Sequence, residues 1–135
     1  MQLRAKEKIL YPNKWDVSAA GHVSAGENIK TSAIREIKEE IGIKIRESDL
    51  EFLKKFNVHI DYNGMSNNEI YYVFTCKYDG PIDNLKLQTE EVAEIKFMSV
   101  EKVKEEFTKN PDKFTPGKEY WFSILDKIKD LNSRK

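Results

Sequence analysis

The sequence has few of the features that mark secreted, membrane or strongly charged proteins. It contains one cysteine, Cys76, in 135 residues, which excludes an internal disulfide framework and a zinc site built from several cysteines. It has no run of about 18 apolar residues, which a membrane span would need, and its first ten residues lack the apolar region of a signal peptide. We therefore expect a soluble, cytoplasmic protein with no membrane partner.

An excess of charge of one sign is also missing. Lysine plus arginine and aspartate plus glutamate both number 23, so the formal net charge is zero. A neutral protein has no long-range field that would attract nucleic acid or an anionic membrane. We expect no nucleic-acid partner, and any anion that binds must be held by local groups.

No internal repeat, low-complexity stretch or long linker divides the chain, so residues 1–135 are predicted to form one domain. The predicted elements are a strand at 15–20, a helix at 28–41, strands at 50–60, 69–78 and 94–98, a helix after Ser99 and a helix at 118–131. This order predicts an α/β (α+β) fold in which a mixed sheet packs between helices.

Turn and capping residues set several boundaries in this prediction. Asn63 and Gly64 lie between two strand patterns and predict a hairpin. Gly42 is a stop signal for the first long helix, and Ser99 is an N-cap for a later one. The residues expected to be buried in the last two helices are Val100, Val103, Phe107, Trp121, Ile124, Leu125 and Ile128.

The first long helix carries three glutamates on one side. Glu36, Glu39 and Glu40 are three or four residues apart and therefore share a face. The apolar residues expected on the opposite face are Ile34, Ile37 and Ile41. Like charges at this spacing destabilise a helix by a few tenths of a kcal/mol per pair. Oxygen ligands suit hard cations, and Mg²⁺ usually combines one or two carboxylates with substrate phosphates and water. The helix predicts a Mg²⁺ site, with Mn²⁺ as the alternative metal, and a phosphate-containing substrate.

Residues that precede the three acids fit the same interpretation. Gly21 and Gly26 flank a loop that leads to Glu27, and glycines let backbone groups approach a metal or phosphate closely. Arg35 could fix a carboxylate by a bidentate pair or contact phosphate directly. The alternative for the helix alone is an ordinary solvated face, because glutamate and lysine are good helix formers.

The spacing of these residues favours the metal site. In GHVSAGENIKTSAIREIKEEIGI, Gly21 is followed by five residues, Glu27, seven residues and then Arg35 to Ile43. Seven fixed residues at roughly 6% usage each would match by chance on the order of once in 10⁹ starts. The segment resembles the Nudix box, and the chain is identified as a member of that family.

The resemblance implies an α/β/α sandwich with a mixed sheet, in which the box forms a loop, a helix and a second loop. It also implies hydrolysis of a nucleoside diphosphate linked to another group, or of a related diphosphate, by attack of a metal-activated water on phosphorus. By position, Glu39 and Glu40 are expected to bind Mg²⁺ together with the Gly21 carbonyl, and Glu36 is a further ligand or the base. Glu27 and Arg35 are expected to support the site by pairing with each other.

Some Nudix enzymes place a further acid, as ligand or base, on a loop distant in sequence. Glu90 and Glu91, in the turn before the strand at 94–98, are the candidates in this chain. The alternative for both is a solvated turn. The base is therefore left open among Glu36, Glu69, Glu90 and Glu91.

A narrower resemblance concerns Glu69 and the segment YPNKWDVSAAGHVSAGE, which is similar to the Nudix proteins related to isopentenyl-diphosphate isomerase. His22 matches a metal-binding histidine of that enzyme, and Glu69 aligns with its strand glutamate. Ala20 stands where the enzyme has its catalytic cysteine, and a methyl group cannot transfer a proton. The resemblance therefore favours a hydrolase. The alternatives are an isomerase-like protein and a non-catalytic module that binds a diphosphate ligand.

Nudix folds normally begin with one or two strands before the segment that is Gln2, Leu3 and Arg4 here. We therefore expect N-terminal strand pairing to be missing. Edges left unpaired in this way are usually shortened, or covered by a partner chain. A truncated chain, a mis-set start codon and a homodimer that supplies the pairing are the competing explanations, and the last predicts self-association.

Overall fold

The computed structural model describes residues 1–8, 10–19 and 26–133. Its main elements are, in chain order, β1 (Gln2–Arg4), β2 (Trp15–Asp16), α1 (Ile29–Ile41), β3 (Glu51–Tyr62), β4 (Met65–Thr75), β5 (Val92–Ile95), α2 (Val100–Lys109) and α3 (Lys118–Ser133). The predicted combination of helices and strands in one chain is confirmed. Within the described ranges, no helix has both the length and the apolar character that crossing a membrane requires.

The strands form two sheets with antiparallel pairing. One sheet has the order β2-β1-β5 and the other is the hairpin of β3 and β4. Parallel pairing among the described residues is limited to an isolated bridge between Trp15 and Phe114. The structure thus differs in detail from the expected single mixed sheet. β1 is paired along both of its edges, so the loss of pairing expected near the N-terminus is not found at this strand.

Helix α1 begins and ends where its capping residues predict. The Asn28 side chain accepts a hydrogen bond from the Thr31 amide over 2.7 Å, which satisfies one free donor of the first turn. At the other end, Gly42 has a φ of 76° and its amide donates to the Lys38 carbonyl over 3.1 Å. A Cβ atom at Gly42 would lie 2.9 Å from the Lys86 Cβ. Gly42 therefore both ends the helix and allows the segment around Lys86 to approach it.

The hairpin is confirmed, and it is longer than predicted. Asn63 and Gly64 have φ angles of 49° and 78°, as a two-residue turn between tightly twisted strands requires, and Tyr62 pairs with Met65 across the turn. The strand pairing continues through Met65 and the polar residues 66–68. Backbone hydrogen bonds and the polar contacts of Ser66 and Asn68 with His59 support that part of β4, which is why a pattern of apolar side chains did not predict it.

The C-terminal helices form the main hydrophobic core. Ser99 accepts from the Lys102 amide over 3.1 Å and begins α2, as predicted. The buried residues of the cluster are Val103, Phe107, Phe114, Trp121 and Leu125. The Trp121 indole donates to the Thr115 carbonyl over 2.8 Å, so its polar edge is satisfied inside the core. Ile124 is buried as predicted, whereas Ile128 is only partly buried.

Two predicted strands have different bounds in the structure. The strand expected at 15–20 is limited, among the described residues, to Trp15–Asp16. The Asp16 side chain accepts a hydrogen bond from the Val17 amide over 2.8 Å, a local bond that competes with strand pairing. The strand expected at 94–98 begins earlier, at Val92, and ends at Ile95, and Phe97 beyond it is 60% exposed.

Candidate active site

Arg35 lies at the centre of the glutamate-rich helix and contacts three carboxylates. Its Nε is 3.3 and 3.2 Å from the two carboxylate oxygens of Glu27, and its Nη2 is 3.1 Å from one of them. Its Nη1 is 2.9 Å from Glu36 Oε1 and 3.2 Å from Glu39 Oε2. The hydrogen bond to Glu27 is the largest of the effects that raise the pKa of Arg35. The arginine therefore brings four residues of the box into one ion-pair network.

Glu27 is the anchor of this network at the start of the helix. It directly precedes the N-cap residue Asn28, and its carboxylate also accepts a hydrogen bond from the Ser32 hydroxyl. Its side chain is 17% exposed. The pairing of Glu27 with Arg35 that the sequence predicted is present in the structure. Their contacts orient the guanidinium toward Glu36 and Glu39.

Glu36 and Glu39 differ in their surroundings. The Glu36 side chain is 18% exposed and that of Glu39 is 50% exposed. Burial raises the pKa of Glu36, the Arg35 guanidinium opposes that shift, and the charges of Glu39 and Glu91 add to it. A partly desolvated carboxylate beside other acids can exchange a proton more readily near neutral pH than an exposed one.

Glu40 is buried, with a relative exposure of 4%. Its Oε1 accepts a hydrogen bond from Gln2 Nε2 over 3.1 Å, and the same amide nitrogen donates to the Ser18 carbonyl over 2.9 Å. The sequence predicted that the three acids share a face opposite Ile34, Ile37 and Ile41, and the structure shows that one of these acids, Glu40, is buried and not exposed to solvent. Glu40 is buried beside Ile41 because β1 packs its Gln2 amide against the helix.

A segment after the hairpin covers the end of α1 and carries Glu91. The Lys86 amide donates to the Ile41 carbonyl over 3.1 Å, and the Gln88 amide donates to the Glu40 carbonyl over 2.9 Å. Glu91 follows this contact, forms a salt bridge with Lys8, and contributes to the raised pKa of Glu36. The structure thus places Glu91 in the electrostatic environment of the box, while Glu90 lies exposed in the adjacent turn.

The remaining predicted site residues lie either on the hairpin or outside the residues that the structure describes. Glu69 lies on β4, is partly buried, and accepts a hydrogen bond from Asn67 Nδ2 over 3.0 Å. Gly21, the predicted carbonyl ligand, lies outside the described residues, and so do Ala20 and His22. Their expected roles therefore stay predictions.

The side chains present fit a hard cation such as Mg²⁺. Within residues 1–8, 10–19 and 26–133, no three His, Cys, Asp or Glu side chains form a ready cation site. The carboxylates of Glu36 and Glu39 nevertheless converge on one cationic nitrogen, Arg35 Nη1, at 2.9 and 3.2 Å. Carboxylate oxygens are the ligand type that Mg²⁺ prefers, so Glu36 and Glu39 supply suitable donor atoms, which in this structure are held by Arg35.

Sequence reasoning missed three residues around the site. Ser32 contacts Glu27, Gln2 contacts Glu40, and Lys8 contacts Glu91. Ser32 lies three residues before Arg35, so helical periodicity could have placed it near Glu27. No local signal marks Gln2 or Lys8, because each contacts a residue at least 38 positions away.

Comparison with known proteins places the chain in a family. The NUDIX domain family model matches residues 1–118. Nudix hydrolase 3 from Arabidopsis thaliana is 33% identical over 120 residues, which cover 86% of this chain and 16% of that protein. The uncharacterized Nudix hydrolase lin0387 from Listeria innocua is 41% identical over 103 residues, which cover 76% of this chain and 56% of that protein.

An isopentenyl-diphosphate Delta-isomerase from Rhodobacter capsulatus is also similar, with 32% identity over 136 residues that cover 97% of this chain and 72% of that protein. The chain therefore spans about half or less of the two Nudix hydrolases, and most of the isomerase. The family model covers the strand β1, the whole glutamate-rich helix and the segment that carries Glu91. The chain belongs to the Nudix hydrolase family.

Proposed function

We propose that this protein is a Mg²⁺-dependent hydrolase of an organic diphosphate, in which the glutamates of α1 provide the metal site. The observation that carries the proposal is the convergence of Glu27, Glu36 and Glu39 on Arg35. A solvated acidic face needs no such network. A metal site needs such a network, because several carboxylates must be held in fixed positions around one cation.

The residues have separate roles in this proposal. Glu39, the most exposed of the three box acids, and Glu40, fixed by Gln2, are the proposed metal ligands together with the Gly21 carbonyl. Glu36 is a ligand or the base, and its partly buried position supports either role. Glu27 and Arg35 position the other carboxylates. Mn²⁺ has the same oxygen preference and is the alternative metal.

When bound, Mg²⁺ would lower the pKa of water and neutralise the charge of the diphosphate oxygens. The chain's own groups contribute orientation and proton transfer. Burial raises the pKa of Glu36, and the charge of Glu91 adds a smaller contribution. Either carboxylate could serve as the base, and Glu69 and Glu90 remain the alternatives. Lys8, paired with Glu91, limits the negative charge of the region.

A second candidate is an isomerase-like activity on isoprenoid diphosphates. It is favoured by the 32% identity with the isomerase from Rhodobacter capsulatus over 97% of this chain. Ala20 argues against it, since the resemblance places a catalytic cysteine at that position. Failure to convert isopentenyl diphosphate would exclude this candidate, and a non-catalytic binding module would show binding without turnover of any diphosphate.

The proposal can be tested by incubating the protein with Mg²⁺ and four substrate classes: nucleotide sugars, nucleoside triphosphates, dinucleotides and prenyl diphosphates. We expect release of phosphate or of a monophosphate from at least one class, and its loss when Mg²⁺ is chelated. Absence of turnover in all four classes with both Mg²⁺ and Mn²⁺ would contradict the hydrolase proposal.

A further inference from the structure

Strand β4 has an outer edge that no other described strand covers. Within the described part of the chain, β4 pairs with β3 alone, and no backbone hydrogen bond joins it to another element. β4 is 11 residues long, about twice the usual length of a strand. An isolated two-stranded hairpin is only marginally stable, and an open edge is a template for a further strand.

The other sheet edges are protected in ways that β4 is not. β2 and β5, at the edges of the first sheet, are two and four residues long. β3 carries Lys54, Lys55 and Asp61 among its charged residues, and the Lys54 ammonium donates to Ser123 of α3. β4 has one charged residue, Glu69, and neither lysine nor proline. Short strands and charged side chains discourage edge pairing, so β4 is the edge most open to it.

Apolar side chains lie along the same open strand. Ile70, Tyr72 and Phe74 alternate along β4 and therefore share one face of the hairpin. Phe52 pairs with Phe74 across the hairpin, and the ring centroids are 5.6 Å apart. Ile70 and Phe52 are each 51% exposed. Single exposed apolar residues are ordinary, but a contiguous apolar surface beside an open edge is typical of a protein–protein contact.

The turn determines which backbone groups of β4 point outward. In a two-residue hairpin the residues that flank the turn, here Tyr62 and Met65, exchange backbone hydrogen bonds, and the pattern then alternates along both strands. Tyr71 pairs with β3 in the same phase as Met65. Ile70 and Tyr72 therefore direct their amide and carbonyl groups away from β3, where an added strand can bond to them.

The apolar part of this edge is complementary to itself. Antiparallel pairing with β4 of a second copy, centred on Tyr72, places the two Tyr72 residues opposite each other. Ile70 of each copy then lies opposite Phe74 of the other. Pairs of an aromatic and a β-branched side chain are favourable across strands. The exposed face of Ile70 is thereby covered by an aromatic ring.

The charges at this edge are complementary in the same register. Glu69 of one copy lies opposite Thr75 of the other, and Lys77 follows Thr75 by two residues, which brings its ammonium group next to the Glu69 carboxylate. Lys77 has an ion pair with Asp79, but that pair is 70% and 79% exposed with its closest atoms 3.8 Å apart, so it contributes little. A register centred on Glu69 would instead place like charges opposite each other.

We propose that this protein forms a symmetric dimer through the edge of β4, in which two hairpins make one four-stranded antiparallel sheet. Both copies contribute the same surface, and the twofold axis passes between the two Tyr72 residues. The proposed metal ligands of α1 lie outside this contact, so the dimer does not depend on the proposed hydrolysis.

The first test measures the mass in solution by light scattering and sedimentation at micromolar concentration. We expect a mass about twice the 15.8 kDa of the chain. Ile70→Lys places a charge at the centre of the edge, as natural sheets do to prevent pairing, and should weaken the dimer roughly tenfold or more. Met65→Lys is the matched control, because Met65 is similarly exposed, at 55%, but lies on β4 outside the proposed pairing. It should remain dimeric.

The second test examines the register and does not depend on the folding of Ile70→Lys. In a Cys76→Ser background, Tyr72→Cys places two sulfur atoms at the twofold axis, where paired Cα atoms are about 5.5 Å apart and a disulfide can form. Ile70→Cys is the control, because the two Ile70 positions are four residues apart along the ladder, roughly 13 Å or more. We expect mild oxidation to give a covalent dimer with Tyr72→Cys and not with Ile70→Cys.

Three results would overturn the proposal. They are a monomeric wild type, a dimer that Ile70→Lys leaves as strong as Met65→Lys does, and cross-linking of Tyr72→Cys no faster than that of Ile70→Cys. A dimer that forms without the Tyr72→Cys cross-link uses another surface, which also contradicts the proposal.

Discussion

Gln2 Nε2 donates a hydrogen bond to Glu40 Oε1 over 3.1 Å. The two residues are 2% and 4% exposed, so this contact is made in the interior of the protein. It joins the first strand to the last glutamate of the Nudix box, which lies 38 residues later in the chain. A buried carboxylate needs such donors to remain at a defined position.

The first prediction concerns this contact. Gln2→Met retains the side-chain length but removes the donor, and we expect the free energy of unfolding to fall by about 1.5–3 kcal/mol, the usual contribution of a hydrogen bond to a charged group. Gln2→Glu should be more destabilising, because it places a second carboxylate beside Glu40. Urea unfolding of the three proteins measures the order. Equal stability of Gln2→Met and the wild type would show that the contact does not fix Glu40.

Arg35 supplies the second prediction. Arg35→Lys keeps the charge but cannot contact three carboxylates at once, because an ammonium group lacks the planar fork of a guanidinium. We expect a lower melting temperature without metal and weaker Mg²⁺ binding, since Glu27, Glu36 and Glu39 lose their common partner. Calorimetric titration with Mg²⁺ and thermal unfolding measure both effects.

Lys38→Ala is the control for Arg35→Lys. Lys38 is an exposed cation on the same helix, outside the network of Arg35, and its replacement should leave Mg²⁺ binding unchanged. The role of Arg35 would be contradicted if both variants bound Mg²⁺ like the wild type.

Gly42 gives a third prediction with an internal control. Gly42→Ala and Gly64→Ala both force alanine to a positive φ, 76° and 78° in the structure, which costs about 1–2 kcal/mol. At Gly64 nothing lies within 4 Å of the added Cβ, whereas at Gly42 it would lie 2.9 Å from Lys86 Cβ and 3.1 Å from the Lys86 nitrogen. We therefore expect Gly42→Ala to be clearly the more destabilising in chemical denaturation. Equal losses would mean that the segment around Lys86 moves freely away from α1.

The fourth prediction concerns pH and Asp16. Burial raises the pKa of Asp16 above its ordinary value near 3.8, and contacts with Val17, Arg4 and Thr115 offset only part of that shift. At pH values between the pKa of Asp16 in the unfolded chain and its pKa in the folded protein, the folded state binds more protons than the unfolded state. Asp16 therefore lowers the free energy of unfolding as pH rises. Asp16→Asn replaces this carboxyl group with an amide that does not ionise. We expect the stability of Asp16→Asn relative to the wild type to increase as pH rises from about 4 toward neutrality.

Urea unfolding at several pH values measures this difference. The opposite trend, with the relative stability of Asp16→Asn falling as pH rises, would mean that the ion pair with Arg4 outweighs burial and lowers the pKa of Asp16. The Asp16 and Arg4 side chains are 11% and 13% exposed, and their closest charged atoms are 3.4 Å apart. Such a distance is long for a strong charge-assisted hydrogen bond, which supports the dominance of burial.

Local sequence signals predicted the parts of the fold that depend on neighbouring residues. Asn63 with Gly64 predicted the turn, Ser99 the start of α2, and Gly42 the end of α1, because turns and caps require particular side chains or backbone angles. The pair of Glu27 and Arg35 was expected from the resemblance of this segment to the Nudix box. These features need no knowledge of the tertiary structure.

Long-range packing set the features that the sequence did not predict. Glu40 was expected on a face opposite the apolar residues, and it is buried because Gln2 meets it from another element. The polar part of β4 pairs through its backbone and through hydrogen bonds of Ser66 and Asn68 with His59, so no hydrophobic pattern marks it. Self-association stays a prediction, although β1 is paired on both edges.

The central claim is that the carboxylates of α1 hold the metal that hydrolysis of a diphosphate requires. Glu39→Gln is the most suitable variant, because the Glu39 side chain is 50% exposed and its change should leave the fold intact. Glu101→Gln, an exposed glutamate in the first turn of α2, is the matched control. The measurement is the rate of phosphate or monophosphate release with Mg²⁺ on the best substrate of the four classes. We expect Glu39→Gln to lose nearly all turnover and Glu101→Gln to retain it. An unchanged rate in Glu39→Gln would contradict the account.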